Sequence, residues 1–422
     1  MSLRSIGLCV GALVISNFSK PVSADVPFFE GIGTLPGAQF GSSAVDISED
    51  GKTVLGNSDE GLNMIAFRWR DGVMTSLGHF PDDPLMLSEG SGVSADGTVA
   101  AGVGISGNGT EGFRWSGGPL IGLGDLAGGL FYSHAFEISG DGDVIVGLSR
   151  TEAGDFPFRW EDGVMTNLSE DFDGEIPDGN ARSISNDGQV IIGSISTSMG
   201  MRMFRWQSDV MEAIANPTGG TAPFARSLSA DGSVIVGHAT IAPGHIEAFR
   251  WADGAYQFLG DLPGGAMDSR AIDVSADGSV VVGASSGSNG LAPFVWDAGH
   301  GLRDLDEVLR VRLKLDLDGW TLSEAVGVSG DGRTIAGKGL NPLGKSEAWI
   351  AHVGCALGDF DGSESVNLAD YSSFADCLGG PAFAPDPNAA DVTAQACVEA
   401  FDFDCNDRVD LLDAAIFQRV FN

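Results

Sequence analysis

Basic residues are few in this chain. In 422 residues, 23 Lys and Arg stand against 58 Asp and Glu, a formal net charge of −35. Nucleic acid is excluded as a partner, because phosphate binding needs a basic face. An anionic membrane surface is disfavoured for the same reason. Long apolar runs are missing as well: the one candidate, Ile6 to Ser16, falls short of the ~20 residues that a spanning helix needs. With Arg4 ahead of it and Val22-Ser23-Ala24 behind, that run reads as a signal peptide over residues 1–24. Cleavage before Asp25 would leave an exported, soluble chain, secreted or held at the cell surface and expected to be a monomer. Cysteine is sparse too. Cys9 leaves with the signal, and Cys355, Cys377, Cys397 and Cys405 all fall in the last 68 residues. An even number in an exported protein predicts two disulfides, and no C-x-x-C spacing points to zinc.

What the chain has in plenty is repetition. A Ser-x-Asp-Gly tetrad, relaxed in places, recurs with its Asp at Asp50, Asp96, Asp141, Asp187, Asp231, Asp277 and Asp331, in steps of 46, 45, 46, 44, 46 and 54 residues. A second marker, Phe-Arg-Trp or close to it, follows each time, ending at Trp69, Trp115, Trp160, Trp206, Trp251 and Trp296; in the last repeat Trp349 stands where Phe stood before. Two markers keeping one period seven times define the unit. In the first unit, Ala44 to Ser48, Thr53 to Leu55, Ala66 to Trp69 and Met74 to Leu77 read as four short strands. Asp50-Gly51 between the first two is hairpin chemistry, with Gly in the left-handed conformation. Phe67 and Trp69 share one face, to fill the space toward the next sheet, and Arg68 points the other way, toward a neighbouring carboxylate.

Four strands at a period near 45 residues predict an all-β chain folded as a seven-bladed β-propeller over residues 25–354. A linear solenoid is the second choice, since it would want polar caps at both ends. The last unit lacks its fourth strand, and the missing stretch, Leu259-Gly-Asp-Leu-Pro-Gly264 in an earlier unit, stands at the N-terminus as Ile32-Gly-Thr-Leu-Pro-Gly37. The N-terminal strand is therefore expected to complete the seventh blade. The long step before Asp331 holds Leu305, Val308 and Leu309 at helical spacing, a short helix that either covers one mouth of the ring or is a surface excursion. With Ala66-Phe67 and Ala248-Phe249 among its markers, the stretch from Phe29 to Val353 resembles the extracellular HAF-repeat family. The resemblance implies an exported repeat protein and no particular activity.

Residues 355–422 change character, with 13 acidic residues against two basic ones. Asp359, Asp361, Ser363, Ser365, Asn367 and Asp370 fall at positions 1, 3, 5, 7, 9 and 12 of a calcium loop, and Asp402, Asp404, Asn406, Arg408, Asp410 and Asp413 repeat that spacing. Position 7 ligates through its main-chain carbonyl, so Arg408 is admissible there. Hard oxygens at alternate positions let a tight loop wrap a Ca2+ ion, and two bound ions are expected, the first held more weakly because its positions 5 and 7 are only Ser363 and Ser365. Val366 and Val409 would pair the two loops. Each loop leads into an apolar helical segment, so the module resembles the type I dockerin family, which implies docking to a receptor such as a cohesin or another cell-surface or polysaccharide component. Cys377 and Cys397 flank the Gly/Pro-rich connection Gly379 to Asn388, which a disulfide would staple; Cys355 and Cys405 then pair.

No constellation of catalytic nucleophiles rises above background, and His79, His134, His238, His245, His300 and His352 show no metal spacing. His238 and His245 read as one inter-strand loop. With 45 acidic residues in Asp25 to Gly354, carboxylate pairs are too common to inform. Near-identical blades with no outlying polar cluster therefore predict a non-catalytic propeller that presents a binding surface, with the dockerin-like tail attaching or stiffening it. The rival expectation is a carbohydrate-active enzyme, a polysaccharide hydrolase or lyase localised by that tail. A purely structural envelope protein is the third.

Overall fold

In the computed structural model of the protein, the described residues are 27–354 apart from 62, 170–176, 199, 218–220 and 318, together with 374, 377, 378, 397, 401 and 409. Almost all of these are β structure. There are five four-stranded antiparallel sheets and one eight-stranded sheet, the latter being two four-stranded meanders joined by a single parallel pairing of Ile246 with Asp268. The first meander runs Ser42–Ile47, Thr53–Glu60, Asn63–Arg70 and Val73–Ser76 in sequence order. The others open with Ser88–Val93, Ser133–Ile138, Asp178–Ile184, Thr221–Leu228, Gly264–Val274 and Thr321–Val328. In the last sheet the outer strand is not the next one in sequence. Phe28–Gly33 pairs antiparallel with Ser346–His352, so the two ends of the repeat region share one sheet.

The Ser-x-Asp-Gly tetrads are turns tied by their own side chains. Ser139 Oγ donates to Asp141 Oδ1 (2.6 Å), Asp143 N donates to the same oxygen (3.0 Å), and Val144 N donates to Ser139 Oγ (3.0 Å). The same arrangement holds at the other six turns. Gly142 has φ 77°, and a Cβ there would stand 2.8 Å from Val99 of the preceding sheet, so both the backbone and the packing demand glycine. The turns are also joined to one another. Ala95 N donates to Gly140 O, Gly140 N to Asn186 O, Asn186 N to Ala230 O, Ala230 N to Ala276 O, Ala276 N to Gly330 O, and Gly330 N to Glu49 O; Asp50 N then donates to Ala95 O and returns the circuit to its start. All seven bonds measure 3.0–3.1 Å. One end of the fold is thus a closed hydrogen-bonded ring, and the sheets stand around it as in a propeller.

The second marker supplies the packing between sheets. Phe67, Phe113, Phe158, Phe204, Phe249, Phe294 and Trp349 are fully buried, and each lies across the ladder from a glycine of its own sheet. A Cβ on Gly147 would sit 2.8 Å from the Phe158 ring. The absent side chain is the space that the ring fills, and truncating such a ring costs about 3–5 kcal/mol. Arg68 does not reach a carboxylate through its Nε. That atom donates to the Gly97 carbonyl of the next turn at 2.7 Å, as Arg114 does to Gly142 (2.8 Å) and Arg250 to Gly278 (2.9 Å). The turn carbonyls, which point outward from the ring, are the nearer acceptors.

The insertion before the last sheet forms a short α-helix, Leu305–Glu307, which Asp304 caps, and then a π-helical turn, Val308–Arg312. Leu305, Val308, Leu309, Leu313 and Leu317 are buried against Val282, Val295 and Trp349. It is a wedge between the last two sheets, and none of its residues lines the channel cavities described below. Among the described residues no helix is long and apolar enough to cross a membrane. In the tail, Cys377 and Cys397 form a disulfide and Phe374 meets Phe401 edge-on at 5.3 Å. The signal peptide, Cys355, Cys405 and all twelve expected calcium ligands, from Asp359 to Asp370 and from Asp402 to Asp413, lie outside the described residues.

Candidate active site in the central channel

The opening strand of each of the seven meanders carries a β-bulge at the same place. The register slips between Ala44 and Asp46, Gly90 and Gly92, Ala135 and Glu137, Ala181 and Ser183, Ala225 and Ser227, Ala271 and Asp273, and Ala325 and Gly327. A regular strand would send successive side chains to opposite faces. The extra residue breaks that alternation, and two neighbouring side chains per strand then face the same cavity, as with Val45 and Asp46, Phe136 and Glu137, Arg226 and Ser227, and Ile272 and Asp273. Fourteen positions around the channel are thereby freed from core packing, while the Ala before six of the pairs (Gly90 in the seventh) and the Ile, Val or Leu after each are buried.

Those positions differ sharply from sheet to sheet. Nearest the turn ring the sequence of side chains is Asp46, Gly92, Glu137, Ser183, Ser227, Asp273, Gly327; in the next layer it is Val45, Ser91, Phe136, Arg182, Arg226, Ile272, Val326. Three carboxyl groups therefore meet in a confined space. Asp46 accepts from Ile47 N (2.7 Å) and, across to the next sheet, from Val93 N (2.8 Å). Asp273 accepts from Ser227 Oγ (2.7 Å) and from Val328 N of the following sheet (2.8 Å). These two act as clamps between sheets. Glu137 accepts one main-chain bond, from Ile138 N at 3.0 Å, and lies over Gly92, where a Cβ would come within 2.2 Å of its Oε1. Burial pushes all three carboxyls upward. Asp46 is raised to about 8 by burial and then by Asp273, and Glu137 well above the usual carboxylate range by burial and then by Asp46. Of the three, Glu137 has the fewest donors holding it in the ionised form and is best placed to carry a proton.

The opposite sector is basic and aromatic. Arg182 lies between two rings, its guanidinium carbon 4.1 Å from the centroid of Phe136 and 5.0 Å from that of Phe224, and its Nε donates to Asn180 Oδ1 at 2.9 Å. Arg226 stands beside it and is open to the channel. Burial, with Arg226 adding repulsion, lowers Arg182 to about 10. Neither arginine forms an ion pair among the described residues. Glu324, whose field reaches Arg226, is taken by Lys338 at 3.0 Å. His134 packs on Phe136 at 4.5 Å and His238 on Phe224 at 5.4 Å. Burial lowers both imidazoles to about 4, Arg182 assisting at the first and Arg270 and Arg226 at the second, so both are neutral at pH 7. His238 Nδ1 is buried without a hydrogen-bond partner. His238 and His245 are not in one loop: His238 lies within the strand Val234–Ala242 and faces the cavity, while His245 begins the next strand and pairs with Asp261 at 3.1 Å.

Space widens away from the turn ring. A cavity of about 70 Å³ adjoins the ring, one of about 180 Å³ lies at the carboxyl and arginine layers, and one of about 430 Å³ extends sideways past Phe224, Arg226, His238 and Arg270. The last falls within the ~300–1,000 Å³ typical of small-molecule sites. Among the described residues no group of three or more His, Cys, Asp and Glu is set to hold a metal ion. The arrangement offers a proton donor and two guanidiniums without ion pairs around one cavity, and the neutral imidazole of His238 in the wider cavity that Arg226 also lines.

No protein-family model matches the sequence, and no curated protein matches it. Solved structures do share the fold. An oligogalacturonate lyase from Vibrio parahaemolyticus superposes with a TM-score of 0.50 at 10% identity, over 78% of this chain and 92% of that one. An oligogalacturonate lyase in complex with manganese gives 0.50 at 13%, over 78% and 96%. TolB from Acinetobacter baumannii gives 0.41 at 13%, and the match spans 62% of each chain. At such identities the likeness is one of fold, and that fold is propeller-like.

The expectation of a non-catalytic presenter is corrected here. It rested on blades without an outlying polar cluster, and the channel holds such a cluster, different in every sheet. The structures that share the fold also include enzymes.

Proposed function

We propose that the protein is an exported carbohydrate-active enzyme, a polysaccharide hydrolase or lyase, working in the channel of a seven-bladed β-propeller. The observation that carries this reading is the uneven filling of the channel: a carboxyl held above its ordinary range on one side, and unpaired guanidiniums with neutral imidazoles on the other. Glycosidic cleavage needs a group that is still protonated near neutral pH to give a proton to the leaving oxygen. Burial and a like charge beside it are the means by which proteins keep a carboxyl in that form. Glu137 is the proposed acid. Arg182 and Arg226 would hold the substrate, with Asp46 and Asp273 fixing the sheets on either side. Neighbours of this fold that are named as oligogalacturonate lyases agree with a saccharide substrate, although the site chemistry and not the likeness supports the assignment. The full chain is expected to release oligosaccharides from a panel of acidic and neutral polysaccharides. No release from any member would overturn the reading.

The tail is proposed to bind two Ca2+ ions through Asp359, Asp361, Ser363, Ser365, Asn367 and Asp370 and through Asp402, Asp404, Asn406, Arg408, Asp410 and Asp413, and to locate the enzyme on a cohesin-like or polysaccharide component outside the cell. Oxygen donors at alternate positions of two twelve-residue loops support it. Calorimetric titration of the full chain is expected to show two ions bound, the tighter one lost in Asp402→Ala. A flat titration would remove calcium from the account.

A further inference from the structure

We infer that the channel takes an acidic saccharide, and that Arg182 and Arg226 together form the seat for the carboxylate of a uronic acid residue. The inference rests on the reading of the channel as a saccharide site and deepens it. A guanidinium drawn out of bulk water needs acceptors for its five N–H groups; Arg182 is half-buried, and Arg226 beside it is open to the channel. Here two come from adjacent sheets into one cavity, and neither has an ion-pair partner among the described residues. Three acids act on Arg226 without pairing with it: Glu324 is held by Lys338, Asp273 is bonded to Ser227 Oγ and Val328 N, and Glu137 accepts from Ile138 N. The position of Arg182 is also built: its guanidinium lies by the rings of Phe136 and Phe224 and its Nε is held by Asn180, so at the cavity it has little freedom left to lose. A planar carboxylate matches that fork through two parallel bonds.

The rest of the molecule argues for a focal site and against a polyanion track. With a net charge of −35, the chain as a whole repels acidic polymers, so attraction is expected where two guanidiniums line one cavity. A neutral sugar would leave both arginines unpaired on binding, which gives the site a reason to prefer an acid.

The test compares binding of three probes to the full chain by calorimetry: a galacturonate trisaccharide, the matching galactose trisaccharide, and inorganic sulfate. The acidic trisaccharide is expected to bind at least about tenfold more tightly than the neutral one, and Arg226→Gln to remove at least about tenfold of that affinity. Arg226→Lys should restore part of it. Because Arg226 holds no ion pair, the variant is expected to melt with the parent protein, and an equal melting temperature checks this. Equal binding of both trisaccharides, or acidic binding that ignores Arg226, overturns the inference, as does sulfate binding as tightly as the uronate. The outcomes also separate the two readings. Cleavage of a neutral polysaccharide, unchanged in Arg226→Gln, would sink the acidic substrate and leave the enzyme. Arg226-dependent binding without cleavage of any polysaccharide would sink the enzyme and leave the uronate site.

Discussion

Glu137→Gln is expected to lower kcat/KM on the cleaved polysaccharide by about 10²–10⁴-fold while leaving the fold intact, because a positioned proton donor contributes about that much to the transition state. The glutamine keeps the size of the side chain and an oxygen for Ile138 N, which donates at 3.0 Å. It cannot supply a proton. The sign of the pH dependence follows from the direction of the shift. Burial and Asp46 hold Glu137 above the ordinary carboxylate range, so its protonated, active form persists into neutral solution and is lost as the pH rises through the raised value. Activity in the parent should therefore fall on the alkaline side, and a plot of kcat/KM against pH tests it. An alkaline limb that survives in Glu137→Gln, or activity within threefold of the parent, would exclude Glu137 as the donor.

The same carboxyls leave a mark on stability that is independent of any substrate. Asp46 moves from 3.8 to about 8 on folding, so between about pH 4 and pH 8 the folded chain binds protons that the unfolded chain has released. Stability is then greatest below the unfolded value and declines as the pH rises through the folded one. The melting temperature is expected to fall from pH 5 to pH 8, and the fall should be shallower in Asp46→Asn, which cannot ionise. The opposite slope, or an unchanged one in Asp46→Asn, would mean that Asp46 does not titrate in this range.

Much of the fold was legible because its repeated markers have repeated physical duties. Ser48, Asp50 and Gly51 make a turn that needs those residue types, and Phe67 needs the facing Gly56. The channel cluster was not legible for a related reason. Residues that recur report the fold, whereas the cluster is made of the ones that do not. Ala44-Val45-Asp46-Ile47-Ser48, Ala135-Phe136-Glu137-Ile138-Ser139 and Ala181-Arg182-Ser183-Ile184-Ser185 keep their frame and change only the two middle residues. That variability between fixed flanks was a visible signal. What sequence could not supply was the bulge, which turns both middle residues toward the channel instead of one inward and one outward. The two channel histidines were passed over for a similar reason: nothing local to His134 or His238 reveals that Phe136 and Phe224 bring them beside the arginines.

Deleting residues 27–37 is expected to abolish cooperative unfolding or to lower the melting temperature by more than any single substitution in the channel. The segment is short, but it makes the ladder that joins the beginning of the repeat region to its end. Phe28 to Gly33 pairs with His352 to Ala348. Ile32 and Leu35 are buried with Ala336, Ala348 and Ile350, while Phe28 stacks on His352 and Phe29 meets Trp320 edge-on and Trp349 at a tilt. Burying one large apolar side chain is worth about 1.5–3 kcal/mol. Ile32 and Leu35 alone would then account for about 3–6 kcal/mol, a large part of the ~5–15 kcal/mol that keeps most proteins folded. The loss would not stay local. Ser346–His352 would become an unpaired edge with a buried tryptophan beneath it, and Glu347, whose Oε1 accepts from Gly33 N at 3.0 Å, would keep only Asn341 Nδ2 as a donor. Adding the 27–37 peptide in trans should restore part of the melting temperature, since the groove it leaves is specific in register. A deletion that melts with the parent would show that the ring of turn hydrogen bonds closes the fold unaided.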